Sequence, residues 1–168
     1  MTELDQVWSQ MLSEAAAKAV ASGEYDIANY LRLKAANDAV RTAGVGWLID
    51  TVVEIAGQAV RDHSTISIER MEPHNFAHGH SNMAGTLLEI RYGVRCLTVE
   101  AGWARTPRDG IMRNGALAIA RITHFGLPKM GAEFRLIHGE TLPNWVSKTN
   151  GVIDSTELQR HFDIFLDK

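Results

Sequence analysis

Apolar residues recur at helical spacing along the first sixty positions. Leu4, Val7, Trp8, Met11, Leu12 and Ala15 fall on one face of a helix over Thr2–Ser22. Thr2 stands where a helix is capped, and Gly23 stands where one stops. Ile27, Leu31 and Val40 carry the period through a second helix, 25–43, whose stripe is interrupted by Asn37 and Asp38. Such a face suits partial solvation or contact with a second copy. Gly44 and Gly46 mark a break or a kink. Residues 47–60 then form a strongly apolar third stretch, with Leu48, Val52, Ile55 and Ala59 on one side. The pattern leaves open whether this stretch continues the second helix.

Beyond residue 64 the period changes to two. Thr65–Glu69 reads as a short strand with Ile66 and Ile68 inward. Residues 72–84, which hold Pro73, Gly79 and three histidines, read as a loop. Gly85–Trp103 reads as a β-hairpin of two strands, 86–91 and 94–101, about a Tyr92-Gly93 turn. That turn pairs Arg91 with Val94, Leu88 with Leu97 and Thr86 with Val99. Opposed residues share a face, so Thr86, Leu88, Ile90, Leu97 and Val99 are expected against a core, with Arg95 near the turn. Leu87, Glu89, Cys96, Thr98 and Glu100 make the other face. The run TPRDG at 106–110 is turn material with Asp109 as a helix cap, and residues 111–125 read as a helix ended by Gly126 and Pro128. Residues 132–138 alternate as a strand, 142–151 read as a loop, and Asp154 or Ser155 caps a last helix presenting Leu158, Phe162 and Phe165.

The expected order is ααα-βββ-α-β-α. It implies an α+β or α/β fold with a helical N-terminal third packed on a small mixed β-sheet. One domain over 1–168 is expected, with a helical portion 1–62 and a sheet-and-helix portion 63–168. The 168 residues, 45% hydrophobic and 22% charged, suit a soluble globular chain with a real core. A formal net charge of −3 gives no support to a globally basic nucleic-acid binder. The single cysteine, Cys96, excludes an internal disulfide framework and suits a reducing cytoplasm. No signal-peptide pattern opens the chain, and no unbroken apolar run reaches the length of a membrane span.

Three sets of residues carry candidate chemistry. Glu100 is the candidate catalytic carboxylate. His74, His78 and His80 form H-x₃-H-x-H, and imidazole binds Zn, Fe or Ni. His78 and His80 with Glu100 would make a three-ligand open site for a divalent metal. An ordinary hydrogen-bonded loop is the plainer reading of the same residues. Arg105, Arg108 and Arg113 flank the start of the expected helix at 111, where backbone N–H groups favour an anion. Surface solvation is the alternative there. Glu89 beside Arg91 and Arg95 reads as a cross-strand ion pair, and Cys96 as a small packed residue. No Gly-rich phosphate loop, G-x-S-x-G elbow or H-E-x-x-H is present.

The order helix–β–β–β–helix–β over about 51–138 resembles the core of the PD-(D/E)XK nucleases. That family holds a divalent metal with an acidic residue on the second strand and E-x-K on the third. Glu100 takes the place of the Glu, and Gly102 stands where the family has Lys. In the expected register Glu89 lies opposite Cys96, roughly 13 Å along the strand from Glu100. The resemblance thus implies a relative that kept the scaffold with an incomplete motif. The runs CLTVEAGW (96–103) and HFGLPK (124–129) resemble those of uncharacterised bacterial proteins, and no activity comes with that resemblance.

Two functions follow as expectations. The first is a soluble cytoplasmic domain acting by binding or by homo-oligomer formation through its helical third. The second is a metal-dependent hydrolase or nuclease-like enzyme built on Glu100, His78 and His80.

Overall fold

The computed structural model describes residues 3–105, 115–149 and 151–167, without the side chains of Leu4 and Asp5. The fold is α+β: three α-helices and a six-stranded antiparallel sheet among the described residues. The chain divides into two compact units, Met1–Thr42 and Ala43–Lys168.

The first unit pairs α1 (Glu3–Ala21) with the opening turns of α2 (Tyr25–Asp62). Gly23, at φ 77°, supplies the left-handed turn, and the Glu24 N–H closes it on the Ala19 carbonyl at 2.8 Å. Leu12, Ala16, Ala19 and Ala28 are buried. Three of these four are alanine. The expected stripe is therefore rotated: Leu12 is inside, while Val7, Trp8 and Met11 stay about half exposed. The Trp8 ring is pinned by Nε1–H donation to Asp38 at 3.4 Å and by the Lys34 ammonium 5.7 Å from its centroid.

The second and third expected helices are one helix of 38 residues. Gly44 does not break it but serves packing. A Cβ there would stand 2.6 Å from Leu136 Cδ2, and the Gly44 carbonyl accepts the Trp145 indole N–H at 2.9 Å. This close approach offsets the roughly 1 kcal/mol that glycine costs a helix interior. Because the two stretches are fused, α2 is long and apolar enough to cross a membrane by length and composition. The buried core helix of a soluble protein reaches the same length and composition. Leu48, Ile49, Val52, Ile55 and Ala56 of the same helix are buried inside the protein.

The sheet is a meander in chain order: β1 (Ser67–His78), β2 (Ser81–Tyr92), β3 (Arg95–Trp103), β4 (Ala118–His124), β5 (Ala132–Ile137) and β6 (Asn144–Ser147). It is wholly antiparallel, not mixed. The expected histidine loop is strand, because a register shift between Met71 and His74 absorbs Pro73 and lets β1 continue. Of the expected helix, 118–124 is β4, 115–117 is described and is not α-helical, and 111–114 lies outside the described residues. Ala118, Ile122 and Phe125 fit a helical stripe, but Ala118, Ala120, Ile122 and His124 also alternate. Pairing with Leu97–Gly102 on one side and Ala132–Leu136 on the other decides for strand. Part of the expected 142–151 loop is β6.

The central hairpin turns at Gly93-Val94, one residue later than the pattern suggested, with Gly93 at φ 59°. Moving a turn by one residue moves each pairing by two, which preserves the faces. Thr86, Leu88, Ile90, Leu97, Val99 and Ala101 are all buried as one face. The last helix, α3 (Ser155–Leu166), begins as expected: Asp154 Oδ1 accepts from the Thr156 and Glu157 N–H groups at 2.9 and 3.3 Å. Leu158, Phe162 and Phe165 are buried.

Gly85 and Gly102 face each other across β2 and β3. A Cβ on Gly85 would run into the Ala101 carbonyl oxygen and the Gly102 Cα, whereas one on Gly57 in α2 meets nothing within 4 Å. Gly85→Ala is therefore expected to destabilise the protein by about 2–4 kcal/mol. Gly57→Ala is expected to stabilise it by about 0.5–1 kcal/mol through helix propensity. Urea unfolding with an unchanged slope checks both.

Candidate functional site: a charged row on the second face of the sheet

The inserted residue at the β1 register shift reverses which side chains face which way. Before it, Glu69 and Met71 share a face with Glu89 and Leu87; after it, His74, Phe76 and His78 share that face with Gly85, Met83 and Ser81. All of these lie opposite the face that packs under α3. On the same face, Arg121 stands directly opposite Glu100, and Glu133 directly opposite Arg121. The row Glu100–Arg121–Glu133 alternates in sign, as stable cross-strand pairs do.

The hairpin tip then folds over this row. Neighbouring strands lie roughly 4.8 Å apart, so β1 and β5 in a flat sheet would be about 19 Å apart. Instead His78 Nδ1 of β1 is 3.6 Å from Glu133 Oε2 of β5. The Arg121 guanidinium donates to the Ala77 carbonyl at 3.3 Å. Phe76, Met83, Ala104, Ala116 and Ile119 form a small second apolar cluster. His74 lies over the side-chain-free Gly85 and reaches Glu100 on β3, with Nε2 3.1 Å from Oε2. Its ring stacks on Phe76 at 5.8 Å between centroids.

Glu100 is thus the hub, and its two oxygens are both engaged. Oε1 accepts from Arg121 at 3.0 Å and Oε2 meets His74. The carboxylate is about four-fifths buried, with 17% of its side-chain surface exposed. If His74 donates through Nε2, its Nδ1 is left as an acceptor facing other groups.

The structure brings together a different set from the one expected. Glu100 is central, but its imidazole is His74. His78 is paired with Glu133, and His80 is exposed at the hairpin turn. Among the described residues no group of three or more His, Cys, Asp or Glu side chains is placed to hold a metal ion. Of the candidate anion site, Arg105 is exposed and its guanidinium stacks 4.9 Å from the Trp103 centroid. Arg108 and Arg113 lie outside the described residues. From Ala118 onward the expected helix is strand, so the described residues supply no helix N-terminus there.

The flanking groups also rearrange. Glu89 pairs along its own strand with Arg91 at 2.7 Å, which raises the Arg91 pKa, and not with Arg95. Arg95 instead binds Asp167 at 2.9 Å and the Phe165 carbonyl at 3.4 Å. In the observed register Glu89 lies opposite Thr98, so Glu89 and Glu100 are diagonal neighbours at roughly 7–8 Å rather than 13 Å. Burial, and then the Glu89 carboxylate, raise the Cys96 thiol above its ordinary range, which keeps it protonated and unreactive. Sequence reasoning missed His74 as the partner of Glu100, along with Arg121 and Glu133. The legible signal was the pair Gly85 and Gly102, two gaps on a face otherwise lined by side chains.

No protein-family model matches this chain, and no curated protein or solved structure matches it. Its class is therefore stated from geometry alone: an α+β protein whose meander sheet curls around a half-buried charged row.

Replacing Glu100 removes the acceptor that Arg121 and His74 share. Glu100→Gln is expected to cost about 1–2 kcal/mol in urea unfolding. Glu89→Gln, whose partner Arg91 is mostly exposed, is expected to change stability by less than about 0.5 kcal/mol. Thermal melts in EDTA and then in Mg²⁺, Mn²⁺ or Zn²⁺ test the metal reading separately. With Glu100 engaged by Arg121 and His74, no melting shift that disappears in a His78→Ala/His80→Ala variant is expected.

Proposed function

We propose that this protein acts by binding, as a soluble cytoplasmic chain that self-associates through its helical hairpin. The observation carrying this reading is the apolar surface of the first unit. Val7, Trp8 and Met11 of α1 are 52%, 47% and 56% exposed, and Ile27, Tyr30 and Leu33 of α2 are 50%, 53% and 58% exposed. Two helices packed on each other bury one face apiece against that partner. A second hairpin would cover the remaining apolar side chains in a four-helix arrangement. Fully burying such a side chain contributes roughly 1.5–3 kcal/mol, so six per copy is ample driving force. Trp8 is already held by Asp38 and Lys34, which lowers the ordering cost of docking it.

A hydrolase built on Glu100 would need that carboxylate free to receive a metal or a proton. Arg121 and His74 occupy it, which favours binding over catalysis at this face. The net charge of −3 likewise gives a nucleic acid no general attraction.

Sedimentation velocity tests the proposal. The intact chain is expected to run as a dimer at micromolar concentration, and Trp8→Glu/Leu33→Glu as a monomer with unchanged helical circular dichroism. A wild-type monomer at every concentration would overturn it.

A further inference from the structure

A second polar cluster lies in the main core and serves neither the charged row nor the helical surface. His124 ends β4 and is 4% exposed; His161 sits on the inner face of α3 and is 2% exposed. His124 Nε2 and His161 Nδ1 are 3.1 Å apart, and the rings stack at 5.4 Å. One shared proton satisfies that contact when both rings are neutral. A further proton keeps the contact but puts a net charge on a pair sealed from water, and a second leaves two N–H donors facing each other. Phe134 of β5 closes the site edge-on at 6.2 Å.

The surroundings offer little to a charged imidazole. His161 Nε2 is buried and has no hydrogen-bond partner. From α3 itself, Glu157 Oε1 is 3.7 Å away, and it also pairs with Arg160 at 3.2 Å. From β4 the facing titratable group is His124, and from β5 the neighbour is the uncharged Phe134. At the other end of α3, Arg95 of β3 binds Phe165 and Asp167. Helix α3 is thus tied to the sheet by a charged clasp at its C-terminus and by this imidazole pair near its middle.

We propose that the His124–His161 pair is an acid-operated latch on α3. While both rings are neutral the helix stays on the sheet. When the pair takes up a further proton the helix is released, exposing Phe134 together with Phe162 and Phe165. Burial, and then His124 and Arg160, push the His161 pKa down to about 4, and burial lowers that of His124. A released imidazole has its ordinary value near ~6.5. The docked form therefore binds fewer protons than the released one. Docking is fully favoured above about pH 6.5 and weakens as pH falls from there toward 4.

Hydrogen–deuterium exchange on the intact chain, corrected for intrinsic exchange, reads the latch at about pH 7.5 and about pH 5. The α3 amides are expected to lose roughly tenfold or more of their protection at the lower pH, while β2 and β3 amides keep theirs. In His124→Leu/His161→Phe, where both partners become apolar, the α3 protection is expected to be independent of pH. Equal α3 protection at both pH values in the wild type would overturn the proposal. So would loss of α3 and sheet protection in step. Should the double variant not fold, the imidazole resonances of the wild type decide: midpoints well below ~6.5 support the latch, and ordinary midpoints overturn it.

Discussion

Backbone meets backbone where Gly85 of β2 faces Gly102 of β3, and the second unit is built around that contact. No side chain fits there, so the sheet can bend sharply toward the empty side. The bend carries the tip of the first hairpin over the second face. It brings His78 to Glu133 and the Arg121 guanidinium to the Ala77 carbonyl. The register shift near Pro73 acts with it, since without the extra residue His74, Phe76 and His78 would point to the opposite face. One inserted residue and two absent side chains therefore create both the small apolar cluster and the charged row. Glu100 is held there by partners from β1 and β4.

The two faces of the sheet balance polarity differently. The face under α3 is apolar, and its exceptions are few and enclosed: Thr86, His124 and His161 are buried there. An imidazole pair in such a place is stable only while neutral, because the low-polarity surroundings penalise charge. The second face keeps its charges partly wet and paired in alternating sign, where they are cheap to hold. The same residue type, histidine, is thus a partly solvated neighbour of a carboxylate at His74 and His78 and a sealed pair at His124 and His161. The α3 helix belongs to the sealed side, and its docking is tied to the protonation state of that pair.

The helical unit has the opposite problem. Its buried positions are Leu12 and small alanines, and the larger apolar side chains Val7, Trp8, Met11, Ile27, Tyr30 and Leu33 lie outside. Their exposure is a consequence of which face the small residues occupy. A surface of this kind is suited to a partner with an equivalent need, and a second copy of the chain has one by construction.

Sequence pattern alone determined the fold class, the existence of α1 and α3, the Asp154 cap, the Ala132–Ile137 strand and the buried face of the central hairpin. Each rests on local periodicity or on a cap or turn residue acting within a few positions. It also named Glu100, through the resemblance of its strand order to the nuclease core. Three things were decided only by tertiary structure. Gly44 and Gly46 looked like a break, yet α2 is continuous because Leu136 and Trp145 pack against Gly44. Residues 118–124 fit both periods, and two flanking strands settled them as β4. His74, rather than His78 or His80, became the partner of Glu100, because the distance between strands in a bent sheet depends on backbone contacts far from the histidines in sequence. Local pattern reports what a segment can bury; which segments meet, and in what register, is set by long-range packing that no window of residues contains.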